Sequence, residues 1–337
     1  MAVLGSLNMD LVTTVERLPR PGETVLGRNF ARYPGGKGLN QAVAAARLGA
    51  EVTLFGRVGN DAFGEELLAV ARENGVDVSY VEKVPAQTGI SAILVDPQGE
   101  NMIAYAPGAN YTVDEAYLGR VLPLLSGADV LLLQLEIPLS AVAATLSRLP
   151  QDRPLVVLNP SPALDLNALP LRRVDVLVPN SQEFQILSGW SGKPEELERM
   201  GRAFLARGIK ALVVTAGAAG AYLVEPDGLT HFPAFSVAAV DVTGAGDAFC
   251  AALAVKLGSG RGFYEAIGFA HAAAALATWI QSLPGIKEAV PWQFISMIPL
   301  HRYLARGRGG NREGAFPQIP WSSLSPRIGV PLPPFGL

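Results

Sequence analysis

The chain has 337 residues, a formal net charge of −3, 49% hydrophobic residues and 17% charged ones. That much apolar material excludes disorder over most of the length and allows one to three domains. The mild acidity excludes a broad nucleic-acid-binding face, which needs a basic stripe. A single cysteine, Cys250, excludes an internal disulfide and fits a reducing compartment.

From the N-terminus, "AVLGSL" reads as a strand that follows Met1 with no basic and apolar leader, so a cytoplasmic protein is expected. "GSLNMD" closes that strand with Asn8 and Asp10 two apart on one face. Two short polar side chains there either bracket a diol or make an edge turn. Residues 11–34 read as hairpin strands without a helix. "YPGGKGLNQAVAAARLG" then places Gly35, Gly36, Lys37 and Gly38 before a helix with Asn40 in its first turn and Gly49 as its stop. It lacks the spacing and hydroxyl of a Walker A loop, and no G-x-G-x-x-G follows the first strand. A glycine turn closing on a neutral, hydroxyl-rich ligand remains, because Asn40 both donates and accepts.

"EVTLFGRVG" is a strand, and "DAFGEELLAVARENG" a helix capped by Asp61 and closed by Gly75. Residues 88–105 read as a second hairpin with a Pro-Gln-Gly turn, so the two hairpins predict a small β layer, a lid that excludes water from a site. "DVLLLQLE", "PLVVLN", "VDVLVPN" and "KALVVTAG" are continuous apolar runs, as in strands covered on both faces. Helices are predicted over 139–149, 181–187 and 194–207. The order predicts an α/β fold with a doubly wound, mostly parallel sheet flanked by helices. "PNSQEF" puts Asn180 and Glu183 at the carboxyl edge of that sheet, as ligand groups or as a helix cap; Thr215 and Gly217 follow another strand, at a nucleotide or in a plain turn.

"VDVTGAGDAFCAALAVKLG" opens a helix with Gly244 and Gly246. The unpaired first-turn amides of Ala245, Gly246 and Asp247, at the positive end of the dipole, attract an anion such as a phosphate. Asp247 would repel that phosphate unless it takes a proton from whatever attacks it; the alternative is a simple cap. Cys250, between Phe249 and Ala251, reads as a small buried side chain. The apolar stretch 266–280, with His271, is too short to span a bilayer and reads as a buried helix. The domain is expected over 1–292. Residues 293–337, rich in Gly, Pro and Arg without a period, read as a loosely ordered extension.

"GGKGLNQAVAAARLGA" and "DVTGAGDAF" resemble the two signatures of the ribokinase-like (PfkB-type) carbohydrate kinases. "GSLNMD", "PRPGETV", "TGISAILVDPQGENMIAYAPGAN", "QLEIP", "PNSQE", "VTAGAAGAYL" and "FAHAAAALA" resemble that family in the same order, over about residues 2–292. The resemblance implies ATP-dependent phosphorylation of D-ribose at O5. Asp247 is then the general base, and the amides of Ala245, Gly246 and Asp247 form an anion hole. Asn8, Asp10, Gly36, Lys37, Asn40 and Asp247 hold the sugar, with Glu136 nearby. Asn180, Thr215, Gly217, Gly246 and His271 serve ATP; Glu183 positions Mg2+ through water. Asp241, Thr243 and backbone near Gly285 hold an activating K+. The resemblance also implies a homodimer formed through the β lid, with sugar and ATP as partners and no nucleic acid or membrane. The open alternatives are a kinase of another sugar or nucleoside (fructose, deoxyribose, adenosine) and an inactive sugar- or nucleotide-binding protein. Three features depart from the family: a longer stretch "TWIQSLPGIKEAVPW" beside the cation site, Ala218 and Ala219 where larger polar residues are common, and the closing tail.

Overall fold

A computed structural model describes residues 1–235 and 243–280. The expectations for Asp241, Gly285, the segment 281–292 and the extension 293–337 lie outside the described residues. In chain order the elements are β1 (Ala2–Leu4), β2 (Asn8–Val15), β3 (Gly27–Gly35), α1 (Lys37–Arg47), β4 (Val52–Gly59), α2 (Ala62–Glu73), β5 (Val76–Val84), β6 (Gly89–Val95) and β7 (Asn101–Ala106). There follow α3 (Glu115–Gly127), β8 (Val130–Leu133), α4 (Leu139–Arg148), β9 (Leu155–Leu158), β10 (Val176–Leu177), α5 (Ser181–Ser188) and α6 (Pro194–Ala206). The last are β11 (Ala211–Thr215), β12 (Ala221–Glu225), β13 (Gly228–Phe232), α7 (Ala245–Gly258) and α8 (Phe263–Ile280).

Nine strands form the main sheet in the order β13-β12-β11-β10-β9-β8-β1-β4-β5. Neighbours from β11 to β5 are parallel, while β12 and β13 pair antiparallel at one edge. Strand residues alternate between two cores. Val3, Val130 and Leu132 pack with apolar residues of α1, α2, α7 and α8. Ala2, Leu4, Leu131 and Leu133 pack with those of α3, α4, α5 and α6. Both faces are therefore buried, which is why β8 reads as the unbroken run VLLL. The doubly wound architecture is as expected.

A second sheet, in the order β3-β2-β6-β7, is the lid. Its hairpins β2–β3 and β6–β7 are antiparallel and join through a parallel β2–β6 pair. Asn8 and Asp10 do not close β1, as "GSLNMD" suggested; they open β2. The chain leaves the main sheet after Leu4 because the start of α1 crosses it there. A Cβ on Gly38 would lie 2.6 Å from the carbonyl carbon of Gly5, so this crossing needs glycine.

Elements such as α3 and β5 were not anticipated from the sequence. The helix α3 has Pro123 inside it, and proline in a helical period reads as a stop. At the opposite edge of the sheet from β13, β5 alternates buried and exposed residues over Val76–Ser79. Among the described residues no helix is long and apolar enough to cross a membrane.

Candidate active site

The site begins where the lid joins the main sheet. Gly36 takes φ 89°, and a Cβ there would meet the amide nitrogen of Asn8 at 2.7 Å and the carbonyl oxygen of Ser6 at 2.9 Å. This glycine lets α1 start against the Ser6–Asn8 backbone. The first amide of α1, on Lys37, donates to Glu136 Oε2 at 3.1 Å. The same oxygen accepts from Asn8 Nδ2 at 3.2 Å and from the Ser6 hydroxyl. Asn8 is buried, and its Oδ1 accepts from Asn110 Nδ2 at 2.6 Å. Both ends of the Asn8 amide are thus engaged within the protein, which makes it part of the frame around the cleft.

Asp10 lies two residues further along β2, opposite Ser91 of β6 in the lid register. Burial pushes its carboxyl up from the ordinary 3.8 to about 6; a hydrogen bond from Ser91 opposes this, the charges of Glu136 and Asp247 add to it, and Lys37 opposes it. Tyr105 of β7 closes this corner, donating from its hydroxyl to the Glu136 carbonyl at 3.2 Å.

The other half of the site is the start of α7. Gly244 is left-handed, with φ 75°, and the first helical bond runs from Ala248 N to Gly244 O at 2.9 Å. The amides of Ala245, Gly246 and Asp247 precede that bond and have no carbonyl within the helix to serve. Asp247 is the third helical residue, not the cap, which is Gly244 with no side-chain cap bond. Its buried carboxylate instead reaches α1: Oδ2 accepts from Asn40 Nδ2 and Oδ1 from Gln41 Nε2, each at 2.9 Å.

A pocket opens beside this contact, lined by Lys37, Asn180, Glu183, Thr215, Gly246 and Asp247, with Asn159 and Cys250 also contributing. Burial pulls the Lys37 ammonium down, but the charges of Asp247, Glu136 and Glu183 together outweigh it and leave it above its ordinary value. Lys37 is therefore held as a cation among three carboxylates. Asn180 and Glu183 form a reciprocal capping box on α5: Asn180 Oδ1 accepts from Glu183 N and Glu183 Oε2 from Asn180 N, both at 2.8 Å. The capping reading of Asn180 is what its side chain does, and both residues still line the pocket. Thr215 ends β11 beside Asn180, to which it is bridged. Burial pushes the Cys250 thiol up, so it lines the pocket in its protonated form.

The structure thus gathers Lys37, Asn180, Glu183, Thr215, Gly246 and Asp247 in one pocket. Asn8, Asp10, Gly36, Asn40 and Glu136 adjoin it at the root of the lid. Gly217 opens a short turn two residues past Thr215, and His271 lies on α8; neither lines that pocket. The His271 ring packs 5.4 Å from that of Phe249, and burial lowers its pKa to about 4, against a hydrogen bond to the Pro233 carbonyl. Sequence reasoning missed Ser6, Gln41, Tyr105 and Asn110. Gln41 had one available signal, its place beside Asn40 in the same helical turn; Asn110 had none, because its partner Leu7 is 103 residues away.

A doubly wound sheet, a β lid beside it, and an acidic residue in a glycine-opened helix are the features that the resemblance to carbohydrate kinases implies. Comparison with known proteins agrees. The model of the pfkB family of carbohydrate kinases matches residues 1–280, and the chain belongs to that family. It is similar to the ribokinase of Haemophilus influenzae, 35% identical over 293 residues, 86% of this chain and 95% of that protein. Among solved structures, a ribokinase of Thermotoga maritima matches with TM-score 0.77 at 34% identity, covering 89% of this chain and 98% of that one. An Arabidopsis thaliana ribokinase complexed with ribose and ATP matches with TM-score 0.76 at 30% identity, covering 87% and 96%. The protein is a sugar kinase, a transferase.

Proposed function

We propose that this sugar kinase transfers the γ-phosphoryl group of ATP to O5 of D-ribose. The observation that carries the reading is Asp247: a buried carboxylate in the first turn of α7, bonded to Asn40 in the first turn of α1 and facing the pocket that holds Lys37 and Glu183. The similarity to ribokinases, one of them solved with ribose and ATP, supports the choice of substrates.

In this reading Asp10, Asn40 and the backbone at Gly36 take the sugar hydroxyls, while Asn8 and Glu136 keep that corner rigid. Asp247 accepts the O5 proton as O5 bonds to the γ-phosphorus and the bond to the bridging oxygen breaks, releasing ADP. The amides of Ala245, Gly246 and Asp247 receive the oxygens of the moving phosphoryl group, and Lys37 adds a fixed positive charge. ATP lies along Thr215, Gly217 and Gly246, with Asn180 towards its phosphates and His271 at the far end.

Magnesium in kinases is held largely by water and phosphates with one or two carboxylates, and the pocket offers Glu183 as such a carboxylate. Glu183 would hold it, most simply through water, and the ion would neutralise charge on the transferring phosphates. Potassium is assigned by the resemblance to Asp241, Thr243 and backbone near Gly285.

The lid also supports a homodimer. Strand register sets Val12, Ala31, Ile93 and Ile103 abreast in one apolar row, on the face that carries Asp10. Ile103 is 59% exposed, a large apolar side chain that a second lid would cover.

The test is ADP release over a panel of ribose, 2-deoxyribose, fructose and adenosine, with potassium or with a bulky organic cation. Ribose should give the highest kcat/KM, and potassium should raise it. Preference for another acceptor overturns the substrate assignment; sugar binding without ADP release overturns the kinase reading.

A further inference from the structure

Gln41 is completely buried, so it touches no sugar and no nucleotide from solvent. Its amide is nevertheless fully used. Nε2 donates to Asp247 Oδ1 at 2.9 Å and to Asn159 Oδ1 at 3.2 Å, and Oε1 accepts from Gln134 Nε2. Asn159 Nδ2 in turn donates to the Val178 carbonyl at 2.9 Å.

This chain has one polarity. The Val178 carbonyl only accepts, so Asn159 must present its NH2 there and its oxygen to Gln41. An ionised Asp247 also only accepts. Both demands turn the Gln41 NH2 towards Asp247, and its two hydrogens have one acceptor each. The direction of the donor is therefore set by residues just past β8 and β9.

The second oxygen of Asp247 is held differently. Oδ2 accepts from Asn40, which is half-buried and next to the cleft. Asn40 can turn its amide to a sugar hydroxyl when one arrives, whereas Gln41 has no other acceptor to turn to.

We infer that Gln41 is a positioning residue for the reaction, pinning Oδ1 of Asp247 so that Oδ2 is the oxygen that takes the proton from the acceptor hydroxyl. This rests on the reading of Asp247 as the base. The proton passes from the sugar hydroxyl to Oδ2 as the oxygen–phosphorus bond forms, and leaves to solvent after ADP and product depart.

The experiment compares kcat and KM for ribose and ATP in the full chain and in Gln41→Met, Asp247→Asn and the double variant. Displacing a reacting group by about an ångström costs on the order of 100-fold in rate, so Gln41→Met should lower kcat by roughly 10- to 100-fold with both KM values nearly unchanged. In the Asp247→Asn background the same substitution should cost nothing further, because Gln41 acts only through that carboxylate. Gln41→Leu is likewise neutral and removes the donor without adding a charge beside Asp247, and should show the same split; it carries the test if Gln41→Met does not fold. An equal loss in both backgrounds, or wild-type kcat in a folded Gln41 variant while Asp247→Asn is slow, overturns the positioning role alone. Wild-type kcat in Asp247→Asn overturns the base reading beneath it.

Discussion

In the proposed reading Asp247 takes the proton; asparagine there turns one of its two accepting oxygens into an NH2, so the remaining oxygen keeps the fixed Gln41 donor and Asn40 turns its amide. Asp247→Asn should retain ribose and ATP binding by calorimetry and lower kcat by roughly 10²–10⁴-fold. Asp10 sets a pH dependence of its own. Its carboxyl, raised mainly by burial, ionises at about 6 in the fold, against 3.8 unperturbed. The folded chain therefore binds the extra proton between those values. Stability from this group is complete below about pH 3.8 and is lost as pH rises through about 6. In the proposed reading sugar binding runs the other way, because only the ionised carboxylate is free to accept hydrogen bonds from two hydroxyls. The KM for ribose should rise as pH falls below about 6 while the KM for ATP stays level, and Asp10→Asn should abolish that difference. Initial rates in overlapping buffers measure both.

Helix starts are where the sequence was most readable at the scale of elements. Glycines at 35, 36 and 38, and at 244 and 246, marked α1 and α7 because each start crowds backbone or needs a positive φ. Gly38 is the sharpest case: a Cβ would lie 2.6 Å from the Gly5 carbon and from the Ser6 nitrogen. Gly38→Ala should push α1 off the Gly5–Ser6 backbone and destabilise the fold by about 1–3 kcal/mol in denaturant unfolding. Asn180→Ala removes half of the capping box on α5 and should cost about 1 kcal/mol in the same measurement, with the bond from Asn180 N to Glu183 retained. Pro123 in α3 and the departure of β2 from the main sheet were less readable, since both depend on what packs against them.

At the scale of the molecule, the lid carries an apolar row whose member Ile103 is exposed. The row Val12, Ala31, Ile93 and Ile103 belongs to four strands, and no single stretch of sequence displays it. If two lids pair there, Ile103→Asp should convert a dimer to a monomer in sedimentation equilibrium, since a buried unpaired charge outweighs the apolar gain. A wild-type chain that sediments as a monomer at all concentrations would remove the lid pairing.

The alternation of strands and helices, the two glycine-opened helices and the acidic residue inside the second were set by local periodicity and backbone chemistry, which a sequence displays directly. Tertiary structure alone decided which groups meet. Asn40 and Asp247 are separated by 207 positions, and Gln41 lies below the surface with its donor turned by residues just past two strands. The order of strands in the sheet fixes those meetings. That order follows from burying both faces together, a property of the whole chain that no local pattern encodes.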